Sequence, residues 1–157
     1  MDRRNARNLA IISVFVVFLA SGISYITLTK DNPIPDYETP SPEKVVEQYF
    51  VAWSNKNYPD MYATISDGFK RIEPTAKDLG AFKSYAGSQG INNVKILSIK
   101  EISNDGKTAA VDYSVEFLLS DGKKSKFDGT YTLKYREGDV ILGWKLIHPY
   151  GENIDTT

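Results

Sequence analysis

The stretch TAAVDYSVEFLLS, residues 108–120, alternates between apolar and polar side chains, and its apolar positions recur at every second residue from Val111 to Leu119. Successive side chains of a β-strand point to opposite faces of a sheet, so this period predicts a strand with one buried and one exposed face. Three further stretches have a similar period and predict three more strands: VKILSIKEI at 94–102, KFDGTYTLKY at 126–135 and VILGWKLIH at 140–148.

The segments between these stretches are typical of hairpin turns. NDGK at 104–107, DGKKS at 121–125 and REGD at 136–139 each place a glycine directly after an acidic residue. Such pairs favour tight turns between antiparallel strands, so the sequence predicts a four-stranded antiparallel meander. Gly129 and Gly143 lie inside predicted strands, where glycine often marks a bulge or a bend. We therefore expect a strongly curved sheet.

The residues before Gly90 have a helical period instead. In PEKVVEQYFVAW at 42–53 the apolar residues recur at spacings of three and four, with Ser41 as the predicted N-cap. Shorter helices are predicted in YPDMYATI at 58–65 and in TAKDLGAFKSYAG at 75–87. For the last helix we expect Thr75 as the cap, Leu79, Phe82 and Tyr85 on one face, and Gly87 as the end. Helices followed by a meander predict an α+β domain over residues 41–150, with a tail at 151–157.

The N-terminal part predicts attachment to a membrane. Residues 9–28 contain no charged side chain, and a helix of this length spans about 30 Å, the thickness of a bilayer core. Three arginines in residues 1–8 predict a cytoplasmic N-terminus and an extracytoplasmic domain. A cleaved signal peptide with its small residues in LASG at 19–22 is the alternative. The apolar stretch continues past that point to Leu28, which favours an uncleaved anchor.

Residues 29–40 are rich in proline and predict a semi-rigid stalk, with a disordered linker as the alternative. The chain has 19 basic and 20 acidic residues, and four of the basic ones fall in the first thirty positions. The remaining body is mildly acidic and has no basic cluster, which argues against nucleic acid as a partner. The absence of cysteine excludes disulfides, thiolate catalysis and thiolate metal sites.

Two segments carry a resemblance to a known superfamily. SPEKVVEQYFVAWSNKNYPDMYATIS at 41–66 resembles the opening of the nuclear transport factor 2-like superfamily, and GWKLIHP at 143–149 is similar to its final strand. The similarity is closest to the N-terminal transpeptidase-associated domain of methicillin-resistance penicillin-binding proteins and to related small membrane-anchored proteins. It implies a cone-shaped fold, of the cystatin-like kind, whose sheet and helices enclose a pocket. Some members are isomerases or dehydratases and many only bind or scaffold, so the resemblance implies no single activity.

The candidate pocket-lining residues are Tyr113, Tyr131, Trp144 and His148. Counting back by two from His148 places Leu146, Trp144, Leu142 and Val140 on the same, inner face. A histidine at the mouth of a pocket can bind a ligand or transfer a proton. The alternative is a half-buried histidine that closes the edge of the core, and we favour it because the sequence places no second titratable residue beside His148. One histidine does not make a metal site either.

Other catalytic patterns have simpler explanations. SPEK at 41–44 matches the Ser-x-x-Lys motif of penicillin-interacting enzymes, but the sequence lacks the accompanying motifs, so Ser41 is interpreted as a helix cap. Asp112, Glu116 and Asp128 alternate opposite to the apolar residues and are predicted to face solvent. We expect no catalytic residue, no metal and no cofactor.

These features predict a single-pass protein of the cell envelope whose extracytoplasmic domain is a non-catalytic binding or scaffolding module. The expected partners are the membrane, through Leu9–Leu28, and an envelope protein or a second copy of the chain. The alternative is an enzyme of the isomerase or dehydratase kind that binds a small molecule in the pocket near His148.

Overall fold

The computed structural model describes residues 38–149. The chain divides into two compact units after Glu38, and the second unit contains the domain described below. The predicted transmembrane helix at 9–28, most of the predicted stalk and the predicted tail at 151–157 lie outside the described residues. Within residues 38–149, no helix combines the length and the apolar character needed to cross a bilayer.

The described residues form α-helices followed by one antiparallel sheet. The helices are α1 (Pro42–Ser54), α2 (Tyr58–Ala63), α3 (Asp67–Ile72) and α4 (Leu79–Ser88), with a 3₁₀ turn at Pro74–Ala76 before α4. The strands are β1 (Ile91–Asn104), β2 (Thr108–Leu119), β3 (Lys124–Arg136) and β4 (Gly143–Leu146). Their order in the sheet is β1-β2-β3-β4, which confirms the predicted α+β meander.

Helix α1 packs against the sheet as its period predicts. The hydroxyl of Ser41 accepts a hydrogen bond from the backbone N–H of Lys44 at 3.3 Å and caps the helix. Val46 and Phe50 are buried on the stripe that faces the sheet, where they meet Val111 and Leu133 in one core cluster. The N-cap satisfies a free N–H of the first turn and the apolar stripe packs on the sheet, and both contacts stabilise the helix.

The prediction for the last helix is wrong at both ends. Asp78, not Thr75, caps α4, because its carboxylate accepts a hydrogen bond from the N–H of Ala81 at 2.8 Å. The helix passes through Gly87 and ends at Ser88, before Gly90 with a φ of +65°. Phe82 is buried as expected, but Leu79 and Tyr85 are 39 % and 48 % exposed. Helix α3, capped by Ser66, was not predicted from the sequence.

The sheet is curved, as predicted, but its bulges lie in β1 and not at the predicted Gly129, whereas the predicted Gly143 does have an irregular backbone with a φ of +126°. The pairing of β1 with β2 shifts at three places along β1, whereas β2 and β3 pair without interruption through Gly129. Bulges of this kind bend a strand and increase its twist. Gly129 has a different role, because a Cβ there would lie 2.6 Å from the hydroxyl oxygen of Tyr113 on the neighbouring strand.

The prediction of a long final strand is also wrong. Strand β4 covers only Gly143–Leu146, and Val140 and Leu142 are exposed instead of lying on the inner face. One long-range contact and one backbone conformation explain the difference: the N–H of Val140 donates a hydrogen bond to Asp67, and Gly143 adopts a φ of +126°. A positive φ of this size interrupts the extended course that an alternating pattern requires.

The outer edge of β4 is covered by the α2–α3 connection. The backbone of Leu146 donates to the carbonyl of Thr64 and accepts from the N–H of Ser66, each at 2.9 Å. The ammonium group of the buried Lys145 donates a hydrogen bond to the carbonyl of Ala63 in the same connection, at 2.7 Å. These bonds satisfy backbone groups that an edge strand would otherwise leave free.

Candidate functional site

Two cavities lie between the helices and the concave face of the sheet. The first cavity has a volume of about 300 Å³, and residues from α1, the α3–α4 region and β4 line it. The second cavity, of about 370 Å³, lies between the end of α1 and the β2–β3 hairpin. Tyr131 lines both cavities, so its side chain forms part of the wall between them. Volumes of this size fall at the lower end of the range for small-molecule pockets.

A cluster of three tyrosines surrounds this wall, and we call Tyr49, Tyr113 and Tyr131 the tyrosine cluster. The rings of Tyr113 and Tyr131 stack with their centroids 4.7 Å apart, and Tyr49 packs edge-on against Tyr131 at 5.8 Å. The hydroxyl of Tyr131 lies close enough to those of Tyr49 and Tyr113 for electrostatic interaction with both. Burial raises the pKa of Tyr49 and of Tyr131, so both hydroxyls stay neutral at physiological pH. The cluster therefore offers neutral hydrogen-bonding groups inside an apolar site.

His148 has an acidic neighbour that the sequence did not indicate. Its Nε2 lies 3.5 Å from Oε2 of Glu73, and its ring packs edge-on against Phe69 at 5.0 Å between centroids. The other carboxylate oxygen of Glu73 accepts hydrogen bonds from the N–H and the hydroxyl of Thr75. These bonds and the proximity of His148 hold the pKa of Glu73 below its usual value. Glu73 and His148 lie far apart in the sequence, so no local pattern could have indicated the pair.

The strand alternation that was used to place His148 on the inner face does not continue past Leu146. Strand β4 ends at Leu146, and the next residue, Ile147, is buried and lines the first cavity. The N–H of Ile147 donates to the carbonyl of Thr132 at 3.1 Å, which keeps the chain against β3 after the strand has ended. His148 consequently packs against Phe69 at the rim, and the side chain is mostly buried there.

The structure brings together two of the four predicted pocket residues. Tyr113 and Tyr131 stack and both line the second cavity. Trp144 is buried in the core and packs edge-on against Tyr135, with 5.6 Å between centroids. Tyr49 and Glu73 belong to the site although the sequence interpretation did not select them.

The three carboxylates that were predicted to face solvent are engaged on the outer face of the sheet. Asp112 accepts a hydrogen bond from the hydroxyl of Thr130 at 2.6 Å, and Glu116 and Asp128 pair with lysines. Among residues 38–149, no group of three or more acidic or histidine side chains has a geometry that would hold a metal ion.

Trp53, which lines the second cavity, has an indole N–H without a hydrogen-bond acceptor among residues 38–149. The indole N–H of Trp53 is buried, and no hydrogen-bond acceptor meets it within the described part of the chain. Trp53 packs against Phe117 with 5.4 Å between centroids, and Phe127 at the same cavity is 55 % exposed. A buried indole N–H usually finds an acceptor, so Trp53 is one of the exceptions among the buried polar side chains of residues 38–149.

The domain matches a known protein family. The family described as NTF2-like N-terminal transpeptidase domain matches residues 41–151, well over half of the chain. The chain belongs to this family. The match confirms the resemblance to the nuclear transport factor 2-like superfamily and covers every helix and strand described above.

One curated protein is similar in sequence to most of this chain but is much longer than it. Penicillin-binding protein 3 of Bacillus subtilis (strain 168) is 28 % identical over 138 residues, which are 85 % of this chain and 19 % of that protein. The chain thus spans about a fifth of the length of this curated relative.

Two solved structures share the fold at low identity. A SEC-C motif containing protein from Psychrobacter arcticus has a TM-score of 0.51 at 12 % identity, over 72 % of this chain and 62 % of its own. RPA3114, a SEC-C motif containing protein from Rhodopseudomonas palustris, has a TM-score of 0.50 at 14 % identity, over 69 % and 76 %. At these identities the likeness shows the fold alone.

Proposed function

We propose that this NTF2-like domain is a non-catalytic binding module that residues 9–28 anchor to the extracytoplasmic face of a cell membrane. The observation that carries the proposal is the extent of the similarity to the penicillin-binding protein. It covers 85 % of the chain, whereas residues 41–157 make up only about three quarters of it. The similarity therefore extends over at least about 16 residues before Ser41 and reaches the C-terminal end of the apolar segment.

The chemistry of the cavities supports binding over catalysis. A general base works best with a pKa near the operating pH and with a free oxygen for the substrate proton. Glu73 has a lowered pKa, and both of its carboxylate oxygens already have protein partners. The cavities are instead lined by the neutral side chains of the tyrosine cluster, which can orient a ligand.

The anchor and its orientation can be tested by cysteine labelling, because the chain contains no natural cysteine. Lys123→Cys lies in the exposed β2–β3 turn, and Asn5→Cys precedes the apolar segment. We expect a membrane-impermeant maleimide to label the first variant in intact cells and the second only after lysis. The protein should also stay in the membrane during alkaline carbonate extraction. Labelling of Asn5→Cys in intact cells, or a mature protein that begins at Ile23, would contradict the proposal.

The binding role can be tested by crosslinking from within the second cavity. A photoreactive amino acid at Phe127 lies at the cavity, whereas the same group at Thr130 lies on the outer face of the sheet. We expect illumination of intact cells to produce an adduct from Phe127 and none of the same mass from Thr130. Identical adduct patterns at the two positions, or none in any membrane preparation, would argue against a partner in this cavity.

An enzyme of the isomerase or dehydratase kind remains the second candidate because Glu73 and His148 lie 3.5 Å apart beside the first cavity. It predicts conversion of a β,γ-unsaturated cyclic ketone to the conjugated isomer, followed by ultraviolet absorbance. Loss of such turnover in Glu73→Gln with an unchanged free energy of unfolding would favour this candidate. We expect the unaltered protein to show no turnover above the buffer rate.

A further inference from the structure

Three consecutive aliphatic side chains stand exposed in the connection between β3 and β4. Val140 is 93 % exposed, Ile141 50 % and Leu142 52 %. We call these three residues the aliphatic loop. Single exposed apolar residues are common on soluble proteins, but a run of this kind usually marks a contact surface.

The aliphatic loop is held in place by hydrogen bonds at its start. The carboxylate of Asp67 accepts from the N–H of Val140 at 2.9 Å, and the carboxylate of Asp139 accepts from the N–H of Asp67 at 2.9 Å. Asp139 also pairs with Arg136 at 3.2 Å, and both of these side chains are nearly buried. The charges of Asp67 and Asp139 are therefore paired with Lys70 and Arg136, while Glu137 is exposed, and the hydrogen bonds fix the start of the loop.

The aliphatic loop lies next to the point at which the chain enters the domain. Gly143, directly after the loop, approaches Thr39 so closely that a Cβ on it would lie 3.5 Å from the Thr39 methyl group. Residues 29–38 separate this point from the apolar segment that ends at Leu28. Even a fully extended proline-rich linker of that length reaches only about 30 Å.

We propose that Val140, Ile141 and Leu142 insert into the interfacial region of the lipid bilayer in which residues 9–28 are anchored. This inference rests on the anchor given under the proposed function. A short tether keeps the local concentration of bilayer surface high, so three aliphatic side chains need little affinity of their own to stay inserted. The insertion would hold one end of the domain on the membrane and turn the opposite end, with the β2–β3 turn, toward the aqueous phase.

A second copy of the chain is a poorer occupant for this surface. The three side chains expose roughly 300–400 Å² in total, whereas a stable dimer buries about 800 Å² on each partner. A bilayer imposes no such minimum area, because the anchor already supplies the association.

The test uses the full chain with a single cysteine at Ile141→Cys that carries an environment-sensitive fluorophore. The protein is reconstituted into vesicles of phosphatidylcholine and phosphatidylglycerol, with and without lipids that carry a nitroxide quencher near the headgroup. Lys123→Cys is the matched control, since it lies at the opposite end of β3, about 40 Å away along a strand of this length. Flotation of the vesicles reports separately whether the anchor holds the protein.

We expect the label at position 141 to shift its emission to the blue and to lose at least half of its intensity to the nitroxide lipids. The label at position 123 should show neither change, and Val140→Ser with Leu142→Ser should abolish the quenching at position 141. Protein that floats but shows equal emission at both positions would overturn the insertion and leave the anchor intact. A crosslink between two copies at position 141, without quenching, would identify a second copy as the occupant. Protein that does not float would overturn the anchor and the insertion together.

Discussion

Asp67 and Asp139 lie 72 residues apart in the sequence, and the carboxylate of each accepts a hydrogen bond from a backbone N–H of the other's segment. Asp139 accepts from the N–H of Asp67, and Asp67 accepts from the N–H of Val140, each at 2.9 Å. Lys70 and Arg136 neutralise the two charges at 2.9 Å and 3.2 Å. This arrangement ties the start of α3 to the end of β3 and fixes the connection that carries the aliphatic loop.

Replacement of Asp139 should destabilise the domain strongly. Asp139→Ala removes the Asp139 carboxylate from the guanidinium of Arg136, which is only 10 % exposed, and frees the N–H of Asp67. We expect the free energy of unfolding to fall by about 3 kcal/mol. Urea titration followed by the fluorescence of Trp53 and Trp144 measures it. Glu47→Ala, which removes an exposed ion pair with Lys44, should cost less than about 1 kcal/mol, and equal losses in the two variants would refute the buried pair.

Acid should weaken the fold through Asp67 and Glu73. Burial alone would raise the pKa of Asp67, but the N–H of Val140 and the ammonium of Lys70 outweigh it and lower the pKa. The hydrogen bonds from Thr75 are the main cause that lowers the pKa of Glu73. Both pKa values are lower in the folded than in the unfolded chain, so the stabilisation is complete above the ordinary values of about 4. It is lost as the pH falls through the lower folded values.

The measurement for the acid prediction is the free energy of unfolding between neutral pH and pH values below the ordinary carboxylate range. Asp67→Asn and Glu73→Gln should each be less stable than the unaltered chain at neutral pH and should lose less stability on acidification. A variant with the same acid dependence as the unaltered chain would show that its carboxylate does not contribute.

Alkaline titration should distinguish the tyrosine cluster from the other tyrosines. Burial raises the pKa of Tyr49 and Tyr131 above the usual value of about 10. The stabilisation from their neutral hydroxyls is therefore complete below that value and is lost as the pH rises through the raised folded values. We expect phenolate absorbance to show late-ionising groups in the folded protein and none in urea. Tyr131→Phe should remove one of them, and an unchanged titration curve would contradict the prediction.

A methyl group at position 129 should displace Tyr113. The new Cβ of Gly129→Ala would lie 2.6 Å from the hydroxyl oxygen of Tyr113, so the tyrosine must move away from Tyr131. We expect a loss of about 1–3 kcal/mol in the free energy of unfolding. Gly138→Ala is the matched control, since a Cβ there meets nothing within 4 Å, and it should change the stability little. In combination with Tyr113→Ala the cost of Gly129→Ala should shrink, which a double-mutant cycle measures.

The sequence predicted the elements whose formation depends on local periodicity. Helix α1 and strand β2 each bury one face along most of their length. The spacing of Val46 and Phe50 is therefore enough to predict the helix, and that of Val111 and Val115 is enough to predict the strand. The same reasoning placed Tyr113 and Tyr131 together, because parity and the meander order put them on one face of neighbouring strands.

The errors have two causes, which are contacts with distant groups and competition between neighbouring residues for the same local role. Val140 and Leu142 lie at alternate positions like strand residues. However, the hydrogen bond from the N–H of Val140 to Asp67 and the positive φ of Gly143 keep them out of the sheet. Thr75 has the side chain of a helix cap, but it bonds to Glu73, and Asp78 caps the helix. Glu73 itself reaches His148 only after the helices have packed beside β4.

The sequence by itself determined the order of helices and strands, the buried face of most elements and the family of the domain, because these follow from spacing that neighbouring residues share. Tertiary structure alone decided that Glu73 lies beside His148, that the N–H of Trp53 meets no acceptor among residues 38–149, and that Val140, Ile141 and Leu142 are exposed. Each of these results depends on contacts between residues that are distant in the chain. Their positions depend on how the helices pack on the curved sheet, and the periodicity of the sequence does not predict that packing.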